Sequence, residues 1–88
     1  MRIDKFLKVA RVIKRRTVAN EVVAKGRVQI NDRPAKPSTE VKVGDVISIQ
    51  FMSGTSRIRV KELRETVRKD DAASLYEVIE ADPTKIDE

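Results

Sequence analysis

The sequence predicts a small α+β domain: two short helices packed on a small antiparallel sheet, with a further helix at the C-terminal end. Three observations carry that expectation. Apolar residues recur at three- and four-residue spacing as far as Val23, the period of a helix face. After Gly26 the period drops to two, in short runs separated by turn residues. Past Lys69 helical spacing returns. Helices and strands grouped in this way, rather than alternating, favour an antiparallel sheet over a parallel one.

Ile3, Phe6, Leu7 and Ala10 fall at i, i+3, i+4 and i+7 and form the stripe of the first helix. Asp4 in its first turn suits the positive end of the helix. Beyond Ala10 the stripe blurs, and RVIKRR predicts a helix end running into a basic loop. Thr17 is the expected N-cap of a second short helix, TVANEVVAK. Its apolar face is Val18, Ala19, Val22 and Val23, and Gly26 stands where a helix-terminating glycine belongs.

The strands follow. Val28 and Ile30 share one face of RVQIN, and Asn31-Asp32 with Pro34 predicts a turn. KPSTEVK is a loop or weak edge strand. Gly44-Asp45 makes a second turn before VISIQF, where Ile47, Ile49 and Phe51 alternate. MSGTS predicts a third turn, and RIRVKEL a last strand with Ile58 and Val60 inward. Asp70 and Asp71 then open the third helix, whose stripe is Ala72, Leu75, Tyr76 and Ile79 and whose end is marked by Pro83. The expected organisation is a domain over 1–69, a C-terminal helix over 70–81 packed on it, and an acidic tail over 82–88 expected to be disordered.

Composition narrows the chemistry. At 88 residues there is room for one domain, and a core of that size is marginal. Hydrophobic residues make up 40%, enough to build it, while the charged fraction of 38% exceeds the usual figure of about 25%. Cysteine and histidine are both absent, which removes disulfides, thiolate and imidazole metal ligands, cysteine nucleophiles and the commonest general base. No acidic loop with a glycine turn suggests an all-carboxylate metal site. The N-terminus has a charge every two or three residues and is neither a signal peptide nor a membrane span, so a cytoplasmic location without membrane contact is expected.

The net charge of +5 conceals a gradient: +8 over residues 1–36, +3 over 37–69 and −6 over 70–88. A basic end sorted in this way is an electrostatic footprint for a polyanion. Its densest part is Lys14-Arg15-Arg16-Thr17, a loop leading into a helix start, where guanidinium forks and free N–H groups would converge on phosphate. Arg2, Lys5, Lys8 and Arg11 on the first helix, and Lys25 and Arg27 just past the second, extend it into one patch if the helices pack side by side. Aromatic residues amount to 3%, and Phe6, Phe51 and Tyr76 all fall on buried stripes. With no stacking platforms to spare, recognition of phosphate positions and RNA shape is favoured over reading of single-stranded bases. Asp70-Asp71 and Glu77 with Glu80 are paired carboxylates, better explained as helix capping and an exposed face. No nucleophile elbow, phosphate-cradling loop or metal-ligand spacing is present, so an enzyme is not expected and no cofactor or metal is implied.

RIDKFLKVARVIKRRTVANEVVAKGRVQIN followed by RPAKPSTEVKVGDVISI resembles the S4 RNA-binding domain over residues 2–50. The shared marks are the opening RIDKFL, the Arg16-Thr17 step, the passage Lys25-Gly26-Arg27-Val28, Asn31, and the turn Val43-Gly44-Asp45-Val46-Ile47. Asp32 stands where the family commonly has glycine, and Arg15 where it often has serine. The resemblance implies an S4-like (αL) fold whose helical face grips structured RNA. The whole chain, including the trailing Asp71-Ala72-Ala73-Ser74-Leu75-Tyr76, is similar to stand-alone members of Gram-positive bacteria that act in ribosome-associated quality control and are related to small heat-shock S4 proteins. That likeness implies binding to stalled large ribosomal subunits obstructed by a peptidyl-tRNA, with contacts to large-subunit ribosomal RNA and the tRNA. It also implies assistance to C-terminal tailing of the stalled chain by a partner that recruits alanyl-tRNA. The RNA-binding residues expected are Arg2, Lys5, Lys8, Arg11, Lys14, Arg15, Arg16, Thr17, Lys25 and Arg27, in a monomer. Two alternatives use the same basic face: a regulatory nucleic-acid-binding protein, and a protein–protein adaptor whose acidic third helix docks a basic partner.

Overall fold

The first nine residues past Met1 already show how the chain closes on itself. In the computed structural model, which describes residues 1–52 and 54–81, helix α1 (Ile3–Val9) starts without any side-chain cap. Two of the N–H groups that a helix start leaves without partners are satisfied from a distant loop: Ile3 N–H donates to Thr39 O at 2.8 Å and Asp4 N–H to Pro37 O at 3.4 Å. The stripe is as the spacing predicts, with Ile3, Phe6, Leu7 and Ala10 all buried. Ala10 caps α1, Arg11 turns the chain at φ 59°, and Ile13 drops back into the core.

Helix α2 (Arg16–Ala24) begins one residue before the expected Thr17 cap. Arg15 is the extended N-cap residue and makes no capping bond, so Thr17 lies inside the first turn, exposed. Ala19 and Val23 are buried, with Val18 and Val22 packed at the edge of the core. The C-terminal end is as expected: Gly26 at φ 79° donates to Val23 O at 3.0 Å and Arg27 N–H to Val22 O at 3.2 Å, the paired bonds of a left-handed helix stop.

The helices pack on one face of a five-stranded antiparallel sheet ordered β2-β1-β3-β4-β5. Its strands are β1 (Val28–Ile30), β2 (Arg33–Pro34), β3 (Val46–Phe51), β4 (Gly54–Val60) and β5 (Tyr76–Ala81). Asn31 and Asp32, at φ 51° and 65°, form the β1–β2 turn, so the aspartate in place of glycine does adopt the left-handed conformation. Val28, Ile47, Ile49, Ile58 and Val60 point into the core; Gln29, Ser48, Arg57 and Arg59 stand on the other face. Strand β4 starts earlier than expected, at Gly54 opposite Phe51, so Thr55 and Ser56 belong to the strand rather than to the turn.

The third helix needs correction. A 3₁₀ helix covers Lys69–Leu75, burying Ala72 and Leu75, but Tyr76–Ala81 is strand β5, not helix. Leu75 O accepts Lys61 N–H at 2.8 Å, which delivers the chain to the open edge of β4. From Tyr76 the sequence YEVIEA is rich in β-branched and aromatic residues, and the ladder offered by β4 outweighs the weak helical spacing. Ile79 is the extra residue where the β4–β5 register shifts, and it is exposed. The expected acidic tail over 82–88 lies outside the described residues, as does Ser53.

Candidate nucleic-acid interface

The first turns of α1 and α2 meet over a carboxylate. Asp4 is 2% exposed, buried between the two helices. Its Oδ2 accepts from Arg2 Nη2 at 3.1 Å and from Asn20 Nδ2 at 3.2 Å. Its Oδ1 takes a longer contact from Arg16 Nη2, at 3.5 Å. Burial alone would push this carboxyl up. The Asn20 amide, the Arg16 and Arg2 charges and the Lys5 backbone N–H together outweigh it, and Asp4 is held below the usual carboxylate range. A buried anion is tolerated here because Arg2, Arg16, Asn20 and the Lys5 backbone N–H all turn donors to it.

Arg2, Asp4, Arg16, Thr17, Asn20 and Glu21 line an open groove of about 620 Å³. Arg2 and Arg16 keep 46% and 47% of their side chains exposed, each fastened at one end only. A guanidinium held in that way keeps further N–H donors free to face outward, and such donors are of the kind that phosphate oxygens accept. Thr17 adds a hydroxyl at the rim.

The other expected residues are placed elsewhere on the surface. Lys8, Arg11 and Lys14 line a second groove of about 520 Å³, whose far wall is Glu65, Thr66, Val67 and Lys69. The Lys5 ammonium is bonded to Glu65, on the wall of that second groove, which pulls the Glu65 carboxyl below its usual range. Arg15 is exposed at the start of α2. Lys25 caps the other end of that helix, roughly 13 Å away along its axis. Arg27 joins Gln29, Ser48, Gln50, Thr55 and Arg57 on the open sheet face. Helix packing thus gathers Arg2, Arg16 and Thr17 into one groove and Lys8, Arg11 and Lys14 into another, while Lys25 and Arg27 sit at the far end of α2.

Asp4 and Asn20 are the site residues that the spacing does not reveal. Asn20, outside the apolar face Val18, Ala19, Val22 and Val23, is half-buried against Asp4. The one available signal was the isolation of Asp4: it is the sole acid in the first twenty residues, beside the apolar stripe.

Comparison with known proteins places the chain and its fold in a family. The S4 domain family matches residues 1–47. A protein named RQC P-site tRNA stabilizing factor, from Streptococcus pneumoniae, is 49% identical over 79 residues, covering 90% of this chain and 90% of its own. Its namesake from Bacillus subtilis is 47% identical over 79 residues, covering 90% and 92%. Among solved structures, the trimeric heat shock protein 15 of Vibrio cholerae superimposes with a TM-score of 0.83 at 32% identity, over 89% of this chain and 80% of that one. On the family match and these identities, the chain belongs to the S4 domain family.

Proposed function

We propose that this chain is a non-catalytic RNA-binding factor of ribosome-associated quality control. It binds structured ribosomal RNA and tRNA on large ribosomal subunits obstructed by a peptidyl-tRNA, in the cytoplasm. In doing so it assists the C-terminal tailing of the stalled chain by a partner that recruits alanyl-tRNA. The observation that carries the reading is the pair of half-exposed guanidiniums, Arg2 and Arg16, fastened to one buried carboxylate in an open groove. Support for the ribosomal setting comes from relatives named for stabilising a P-site tRNA. Lys5, Lys8, Arg11, Lys14 and Arg15 supply further phosphate contacts beside that centre, Lys25 and Arg27 do so at the far end of α2, and Thr17 adds a hydroxyl.

Arg16→Ala tests the reading. Arg16 is half-exposed, its contact with the buried Asp4 is long at 3.5 Å, and Arg2 and Asn20 still donate to that carboxylate, so the loss of stability should stay at about 1 kcal/mol. Affinity for obstructed large subunits should fall by about 1–3 kcal/mol, roughly five- to more than a hundredfold. Arg16→Lys should recover only part, since an ammonium keeps the charge without the planar fork. A normally folded Arg16→Ala that co-sediments with obstructed subunits like the parent would overturn the assignment.

A further inference from the structure

We propose that Asp4 is the positioning residue of the RNA groove: its two carboxylate oxygens hold Arg2 and Arg16 on either side so that a single backbone phosphate is taken between the two guanidiniums. This rests on the RNA-binding reading above and adds to it the residue that sets the site's shape.

A carboxylate is an unexpected neighbour for phosphate. Placed in the most basic part of the chain, Asp4 lowers the local positive potential and by Coulomb's law alone should weaken binding of a polyanion. Its geometry points the other way. Oδ2 is shared by Arg2 and Asn20 while Oδ1 faces Arg16, so each oxygen holds one guanidinium. Arg2 comes from the residue preceding α1 and Arg16 from the first residue of α2. Without an anion between them, two like charges from separate elements repel, and long side chains disperse into solvent. Asn20, one turn into α2, fixes the carboxylate itself, and burial of Asp4 at 2% exposure leaves that anchor little freedom to rotate. Pinning two arginines in advance lowers the ordering cost that each would otherwise incur on binding. The arrangement therefore trades some local positive charge for a preset spacing of donors.

The two effects have opposite signs, which makes Asp4→Asn decisive. The change is close to isosteric and raises the net charge of the full chain by one. If charge alone governs, Asp4→Asn binds large ribosomal subunits more tightly. If Asp4 positions the arginines, binding weakens, with an expected loss of about five- to twentyfold. The coupling is tested in the double variant Arg2→Ala/Arg16→Ala, in which adding Asp4→Asn should change affinity less than twofold, because nothing remains to position. A folded Asp4→Asn that binds as well as or better than the parent overturns the inference. A double variant that itself binds like the parent overturns the RNA-binding assignment instead, so the two failures are distinct. Should Asp4→Asn not fold, side-chain ¹⁵N relaxation of the unmodified protein decides the matter. Arg2 and Arg16 guanidinium groups should be ordered where Arg11 and Arg15 are mobile, and equal mobility of all four overturns the proposal.

Discussion

Asn31 and Asp45, fourteen residues apart, are joined by a hydrogen bond of 3.0 Å from Asn31 Nδ2 to Asp45 Oδ1. The same amide accepts Val46 N–H through its Oδ1 at 3.0 Å, and Asp45 Oδ2 accepts Lys42 N–H at 2.7 Å. Two turns, the β1–β2 hairpin and the bend before β3, are thus fastened by one side-chain pair. Asn31 also sits at φ 51°, a conformation that asparagine tolerates better than most residues.

Asn31→Ala should therefore lose both side-chain bonds and strain the turn, for a combined cost of about 2 kcal/mol in urea denaturation. Asn31→Gly relieves the strain and not the bonds, and should fall between alanine and the parent. If alanine and parent denature together, the fastening contributes nothing.

Leu7 is fully buried at the centre of the α1 stripe. Leu7→Ala should cost about 2–5 kcal/mol, a large share of the stability of a domain this small. Circular dichroism should show a substantially lowered melting temperature or a largely unfolded chain at 25 °C. An unchanged midpoint would contradict the packing of α1.

Acid should destabilise the protein in part through Asp4. Its native carboxyl is held below the unfolded value, so the unfolded state takes up the proton first as the pH falls. The stabilisation is complete above the unfolded value of about 3.9 and disappears as the pH drops through the lower native value. Stability of Asp4→Asn should accordingly vary less between pH 5 and pH 2 than that of the parent, as followed by denaturation at each pH. Parallel curves for the two proteins would mean that Asp4 titrates alike in both states.

RNA affinity should fall steeply with salt. Each phosphate neutralised adds about 0.7–0.9 to the slope of log K against log salt concentration, and Arg2, Arg16 and the Lys8/Arg11/Lys14 cluster should give a slope of several units. Arg16→Ala should reduce it by about one. A slope near zero in filter binding would rule out a phosphate-dominated interface.

The helical half of this fold was legible because its signals are local: Ile3, Phe6, Leu7 and Ala10 repeat at helical spacing, and Gly26 marks a stop that only a left-handed residue makes comfortably. Strand β5 was obscured by a coincidence of periods. Ala72, Leu75, Tyr76 and Ile79 satisfy helical spacing, while Tyr76 and Val78 satisfy strand spacing, and the arbiter is β4, which lies fifteen or more residues earlier in the chain. The site divides in the same way. Arg2 and Arg16 announce themselves by charge, but an acid in a first helical turn ordinarily answers the helix dipole. What makes Asp4 different is its contact with Arg16 and Asn20, sequence separations of 12 and 16 that no local pattern encodes.

The bonds from Ile3 and Asp4 N–H to Thr39 and Pro37 O have a kinetic consequence. Those two amides are protected by a loop some thirty-five residues downstream and not by their own helix, so their hydrogen exchange reports the opening of residues 37–39 rather than fraying of α1. The start of α1, which carries Asp4, is held across that distance, and loop closure of this kind comes late in folding compared with a helical turn. Each excursion of the loop frees the backbone beneath Asp4, and through it the anchor of both arginines. Substitutions at Pro37 and Thr39, which lie outside the residues lining the groove, should therefore alter how often the groove is open for binding and how long a bound strand is retained.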